Sequence, residues 1–201
     1  MTEKETVMSK KIGIIGDGNV GSALARGLQR AGRDVRAVGN DKAAIRETAA
    51  QSDIVILAVP FGALDDVASN IAEVTAGKTV IDVTNALTKE MKLAVGHTTS
   101  GAEELQKKLP NARVAKAFNT QFAQHMDSGR IGDQRLTVFV AADDAAAKGD
   151  AAEAATAIGF EAIDAGPLAN ARLLEPLALL NIQLGYVLGL GGNIGTKLVR
   201  G

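Results

Sequence analysis

The chain has 201 residues, 46% apolar and 22% charged, enough for one globular domain that buries roughly 70% of its unfolded surface, which argues against native disorder. Its formal net charge is -1, with 22 Lys and Arg against 23 Asp and Glu and no basic run to neutralise a phosphate backbone, so nucleic acid is not an expected partner. The absence of cysteine removes disulfides, thiolate metal sites and cysteine nucleophiles, and no metal centre is expected.

Residues 1–10 read as a flexible Thr/Glu/Lys-rich tail without the apolar stretch of a signal peptide, and residues 11–201 as a single domain. Strands are predicted at Lys11–Ile15, Asp34–Val38, Asp53–Val59, Thr79–Val83, Arg113–Ala117, Leu136–Ala141 and Glu161–Asp164, with helices in most of the gaps. That alternation implies an α/β fold: a doubly wound, mainly parallel sheet of the Rossmann dinucleotide-binding type. The helix over Val20–Ala31 carries Leu24 and Leu28 four residues apart and is expected to end at a left-handed Gly32. Ser100 and Glu103 form a capping-box pattern for a helix over Ala102–Leu109, which Pro110 stops. The alanine-rich face of Ala145–Ile158 is expected in the core, and the Lys107–Lys108 pair on a solvated helix edge.

After Asp164 only Pro167–Gly201 remains, enough for one helix and a glycine-rich end. The most apolar stretch, Pro176–Ile194, is interrupted by glycines and does not give the roughly 18 apolar residues of a membrane span. A soluble, cytoplasmic protein without a membrane partner is therefore the expectation. Aromatic residues are only 3% of the chain, so the core must come from Ala, Val, Ile and Leu, as in a sheet buried on both faces.

Gly16-Asp17-Gly18-Asn19-Val20-Gly21 satisfies G-x-G-x-x-G between a predicted strand and a predicted helix, the context in which the pattern is informative. Gly16 would permit the tight turn, Gly18 the approach of a diphosphate, and Gly21 close packing of helix on strand. In such a sheet ligands lie beyond the carboxyl ends of the strands. The candidates there are Asn40, Asp41 and Lys42 after the second strand, and Ala58, Val59, Pro60 and Phe61 after the third. Thr84 and Asn85 follow the fourth, and Phe118, Asn119, Thr120 and Ala123 the fifth. Asn and Thr also cap helices, and Phe61 is equally readable as core. Of the two imidazoles, His97 and His125, either could reach a ring oxygen, but both are expected on the surface.

Several stretches resemble the NADP oxidoreductases dependent on the deazaflavin coenzyme F-420, their short bacterial relatives, and the cytosolic domain of the six-transmembrane metalloreductases. They are Ile14–Gly21, Leu57–Phe61, Lys116–Thr120, Asp164–Leu168 with Arg172 and Glu175, and Gly189–Gly191 before Lys197. The resemblance implies hydride transfer between a nicotinamide and a deazaflavin (F-420) or a flavin (FMN or FAD). That chemistry needs positioning and water exclusion and no catalytic acid, base or nucleophile. It implies a nicotinamide near Pro60, Phe61 and Phe118–Ala123, and the second ring against the tail at Gly189, Leu190, Gly191 and Gly192. It also implies a homodimer.

The chain departs from the family where a 2′-phosphate would be met. The family typically has a small hydroxyl residue in the glycine loop and Ser-Arg after the second strand; here stand Asp17, Asn40 and Asp41, with Lys42 and Arg36 as partial compensation. Carboxylates favour a free ribose 2′-OH over a phosphate, so NAD(H) is expected to bind at least as well as NADP(H). Two other functions remain open. A non-catalytic NAD(P)-binding redox sensor would have no need of the intact tail, and a reductase of imines or β-hydroxy acids would need a helical domain for which this chain has no room.

Overall fold

The computed structural model describes residues 10–201, so the tail expected over 1–10 lies, except for Lys10, outside the described residues. The first half alternates strand and helix: β1 (Ile12–Ile15), α1 (Asn19–Arg30), β2 (Val35–Val38), α2 (Lys42–Gln51), β3 (Ile54–Leu57), α3 (Leu64–Ile71) and β4 (Thr79–Asp82). The second half continues with α4 (Gly101–Lys108), β5 (Arg113–Lys116), a small hairpin of β6 (Arg130–Ile131) and β7 (Gln134–Arg135), β8 (Thr137–Ala142), α5 (Ala145–Ile158), β9 (Glu161–Asp164) and α6 (Ala171–Ile182). One seven-stranded sheet has the order β2-β1-β3-β4-β5-β8-β9. All neighbours run parallel except β5 and β8.

The antiparallel step has a local cause. The segment between β5 and β8 contains only a short turn and the β6–β7 hairpin, not the crossover helix that a parallel partner requires. Elsewhere a helix follows each strand and covers a face of the sheet. Ile12, Ile14, Ile54, Ile56 and Ile81 bury one face against α1 and α5, through Leu24, Leu28, Ala151 and Ala155. Ile15, Val55, Leu57, Val80 and Val114 bury the other against α2, α3 and α4, through Ala49, Ala68, Ile71 and Leu105. Alanine on α5 keeps that helix close to the strands it crosses, which is how a chain so poor in aromatics fills its core.

The capping signals take the expected form. Gly32 has φ +76° just past α1, and Ser100 accepts from the Glu103 N–H while its hydroxyl donates to the Glu103 carboxylate at 2.7 Å. Lys107 and Lys108 lie on the outer edge of α4, paired with Glu104 and Asp65. Beyond α6 the chain makes a wider π-helical turn over Gln183–Val187 and then folds back irregularly. Thr137 N–H donates to Thr196 C=O, Leu198 N–H to the Thr137 hydroxyl, and Gln121 bridges to the Thr137 and Thr196 carbonyls, so the tail is fastened beside β8. Among the described residues no helix is long and apolar enough to cross a membrane.

Candidate functional site

The chain leaves β1 for β2 on one side and returns across it to β3 on the other, and β1 pairs with both. The loops beyond the carboxyl ends of β1 and β3 therefore diverge and leave a crevice. There lies a cavity of about 430 Å3 lined by Gly16, Asp17, Gly18, Gly39, Asn40, Lys42, Ala58, Val59 and Pro60, with Ile45, Ala63, Asp66, Val67 and Asn70 contributed by α2 and the start of α3. One wall is apolar (Ile45, Val59, Pro60, Ala63, Val67) and the opposite rim is polar (Asp17, Asn40, Lys42).

The three motif glycines have three different causes. Gly16 adopts φ +109°, and a Cβ there would stand 2.2 Å from the Ala58 carbonyl oxygen. At Gly21 a Cβ would stand 1.8 Å from the Gly16 carbonyl oxygen, so the turn cannot close with any other residue. Gly18 is different: its φ is -68°, open to every residue, and a Cβ would meet nothing within 4 Å. Packing within the protein accounts for two of the glycines and leaves the space over the third, the N-cap of α1, open. Helix α1 begins at this point without a side-chain cap and without an acid in its first turn, whereas Asp41, Ser100 and Asp144 cap α2, α4 and α5. Helices α3 and α6 also lack a side-chain cap, but each follows a 3-10 turn, so α1 is the uncapped helix that opens directly from a loop.

A second cavity, of about 250 Å3, opens on the far side of the same turn. It is lined by Asn19, Val20, Asn85, Asn119, Thr120, Gln121, Phe122, Ala123, Ala178, Asn181, Ile182 and Tyr186. Its floor depends on a sharp turn after β5. Phe118 takes φ +66°, a conformation that costs a non-glycine residue about 1–3 kcal/mol. Burial of its ring, edge-on to Phe160 at 5.9 Å, holds it there. Asn119 follows, its amide donating to the Asn85 side chain at 3.1 Å and to the Leu174 carbonyl at 3.0 Å. Both donors are thereby occupied, yet its Oδ1 is buried without a partner. A third cavity, of about 320 Å3, continues from the second past Asn19, Ala123 and Tyr186, and adds Ser22, Arg26 and Gln124.

The structure thus gathers Gly16, Asp17, Gly18, Asn40, Lys42, Ala58, Val59 and Pro60 at the first cavity, and Asn19, Val20, Asn85, Asn119, Thr120 and Ala123 at the second. Gly21 shapes the turn between them without lining either.

Other expected residues stand elsewhere. Asp41 lines no cavity, because its carboxylate accepts the Ala44 N–H as the cap of α2. Arg36 is turned away toward Glu47 and Gln51, leaving Lys42 as the one cation in the lining of the first cavity. Phe61 packs on the core that covers α3 and α4, Phe118 is interior, and Thr84 is buried with its hydroxyl unpaired. Gly189, Leu190, Gly191 and Gly192 line none of the three cavities. Gly189 and Gly191, both at positive φ, turn the chain, and a Cβ on Gly192 would strike the Gln124 side chain. The C-terminal wall is formed by Asn181 and Ile182 at the end of α6 and Tyr186 in the π-helical turn after it, with Tyr186 edge-on to Phe122 at 5.3 Å. His97 is exposed, but His125 is buried beneath the returning tail, its Nε2 3.2 Å from the Gly192 carbonyl. Among the described residues no cluster of three or more acidic or histidine side chains could hold a metal ion.

Beneath the second cavity lies an ionic group with no exposed atoms to speak of. Lys116 is fully buried and donates to Asp82 at 2.9 Å and to the Thr84 carbonyl at 2.6 Å, with the Glu175 carboxylate at 3.0 Å. Glu175 also accepts the Gly101 and Ala102 N–H groups at the start of α4. Burial alone would push the Lys116 ammonium down, but the charges of Asp82 and Glu175, with the hydrogen bonds to both, hold it above the ordinary lysine range.

Residues 11–86 match the family described as NADP oxidoreductase, coenzyme F420-dependent. The match spans the first half of the sheet, from β1 to β4. Of solved structures, a protein of Arthrobacter sp. FB24 named as a candidate F420-dependent NADP-reductase aligns with a TM-score of 0.87 and 29% identity, over 96% of this chain and 100% of that one. A hypothetical protein of Sinorhizobium meliloti aligns with a TM-score of 0.69 and 26% identity, over 81% and 88% of the two chains. The rat metalloreductase STEAP3 is 33% identical over 186 residues, which are 85% of this chain and 37% of that protein. The chain thus spans little more than a third of that relative. The uncapped start of α1 lies inside the matched segment.

Proposed function

We propose that this protein transfers a hydride between a nicotinamide dinucleotide and a deazaflavin or flavin, and that it does so as a homodimer. The observation that carries the first part is the unfilled space over Gly18 at the uncapped start of α1, between an apolar-walled cavity on one side and an amide-lined cavity on the other. A dinucleotide has that shape: two bulky ends joined by an anion. When bound, a reduced nicotinamide supplies two electrons and a proton as hydride, and the accepting ring takes its remaining proton from solvent.

The residues would act by holding. The amides of α1 grip the diphosphate, Ile45, Val59 and Val67 flank the adenine, and Asp17, Asn40 and Lys42 meet its ribose. Asn119 lines the second cavity with an Oδ1 that has no partner in the protein, and would accept an N–H from the carboxamide and so fix which face of the ring looks outward. Phe122 and Tyr186, edge-on to each other, would flank that face. With Asp17 and Asp66 in the lining and Arg36 tied elsewhere, NAD(H) should bind at least as well as NADP(H).

Loss of dihydronicotinamide absorbance on adding FMN, FAD, riboflavin or the deazaflavin tests the reading. Oxidation with at least one ring is expected; tight nucleotide binding with no oxidation by any of them would favour the redox sensor. Calorimetric titration with NADH and NADPH tests the preference, and a clear NADPH selectivity would reverse it. For the dimer, Leu173, Leu180, Val187, Leu188 and Leu190 expose an apolar face on α6 and the tail that solitary proteins rarely present. Sedimentation at micromolar concentration should give twice the monomer mass, and Leu180→Glu should halve it.

A further inference from the structure

We infer that the third cavity is a subsite for the accepting ring's side arm, and that Arg26 selects acceptors in which this arm carries an anion. The inference rests on the reductase reading above and specifies its substrate class. Asn19, Ser22 and Arg26 stand at positions i, i+3 and i+7 of α1, so they form one stripe along the helix. Ala123, Gln124 and Tyr186 face that stripe across the cavity.

The second and third cavities share Asn19, Ala123 and Tyr186 and so form one continuous groove. The second, where the nicotinamide is placed above, is lined by amides, hydroxyls and apolar groups without a charge, so an acceptor stacked on the outward face of the nicotinamide would extend its arm into the third. The third has Arg26 as its one charged side chain. Asp127 backs the Arg26 Nε at 3.8 Å, and among the described residues the terminal guanidinium nitrogens have no hydrogen-bond partner. A guanidinium whose terminal nitrogens are unpaired is suited to a phosphate ester.

The nucleotide's own diphosphate does not reach this charge. Arg26 lies eight residues beyond Gly18, about 12 Å along the helix axis. An anion at Arg26 therefore belongs to the other reactant.

FMN and riboflavin carry the same ring and differ by one phosphate, so the pair isolates the arm. Fluorescence titration of the full chain should show FMN binding about tenfold more tightly than riboflavin, with the advantage shrinking as salt rises. In Arg26→Gln both should bind at the riboflavin level, while NADH affinity stays unchanged. Arg26 is exposed on a helix surface, so the variant should fold, and an unaltered thermal melt checks it. Equal affinity for the two flavins in the wild type, a phosphate advantage that survives in Arg26→Gln, or binding of neither flavin would overturn the inference. FMN bound through Arg26 but never reduced by NADH would leave the subsite standing and remove the reductase reading.

Discussion

Lys116 sets its ammonium 3.0 Å from the Glu175 carboxylate, and this contact, wholly out of solvent, ties the end of β5 to α6 directly beneath the amide-lined cavity. Asp82 and the Thr84 carbonyl complete the coordination of the same nitrogen. Removing one member leaves the others charged and unpaired in the interior. Lys116→Met should therefore destabilise the fold by about 3–5 kcal/mol. Urea unfolding measures the loss, and a value below about 1 kcal/mol would mean that water or a rearranged partner compensates.

The fate of the motif glycines divides folding from binding. Gly21→Ala places a methyl group against the Gly16 carbonyl and should cost about 3 kcal/mol of stability. Gly18→Ala meets no protein atom, so its melting temperature should stay near that of the wild type while NADH affinity falls at least about tenfold, or 1.4 kcal/mol. Differential scanning calorimetry and titration on both variants decide the matter. Unchanged affinity in Gly18→Ala would remove the diphosphate from that turn.

These two groups of residues were not equally legible in the sequence. The glycine turn announces itself by its spacing between a strand and a helix, and the strand–helix alternation gave the whole parallel half of the sheet. The antiparallel β8 depends on a missing crossover helix, which a list of strands does not reveal. Lys116 and Asp82 do leave a signal: opposite charges at the last positions of two central strands, which register places side by side. The tail was harder. Its glycines suggested a ligand, but their conformations serve a fold-back whose contacts with Gln121, Gln124 and His125 come from residues some 70 positions away in the chain. Periodicity carries no information about such long-range closure, which is why the sequence places His125 on the surface and gives Tyr186 no role.

Asn119 offers a sharper test of ring placement. Its Oδ1 is buried and unpartnered, and a ligand N–H would recover the hydrogen bond that the protein leaves unmade. The 3-acetylpyridine analogue of NADH has a methyl group where the carboxamide has N–H2. The wild type should bind this analogue about three- to tenfold more weakly than NADH. Asn119→Ala should bind the two within a factor of about two, because the discriminating acceptor is gone. An analogue bound as tightly as NADH by the wild type would place the carboxamide elsewhere.

Glu103 gives the fold a dependence on acid. The hydrogen bond from Arg172 is the main cause that holds its carboxyl below the ordinary carboxylate range, ahead of the opposing effect of burial and the help of Ser100. The interaction locks the start of α4 to α6, beside the Glu175 contacts with the Gly101 and Ala102 amides. Because the folded value lies below the unfolded one, near about 4.3, the ion pair's contribution is complete above that pH and disappears as pH falls through the folded value. Glu103→Gln cannot ionise. It should be less stable than the wild type at neutral pH, and the gap should close below about pH 4. Urea unfolding of both proteins across this range is the measurement, and a gap that stayed constant with pH would show that Arg172 holds Glu103 by hydrogen-bond geometry and not by charge.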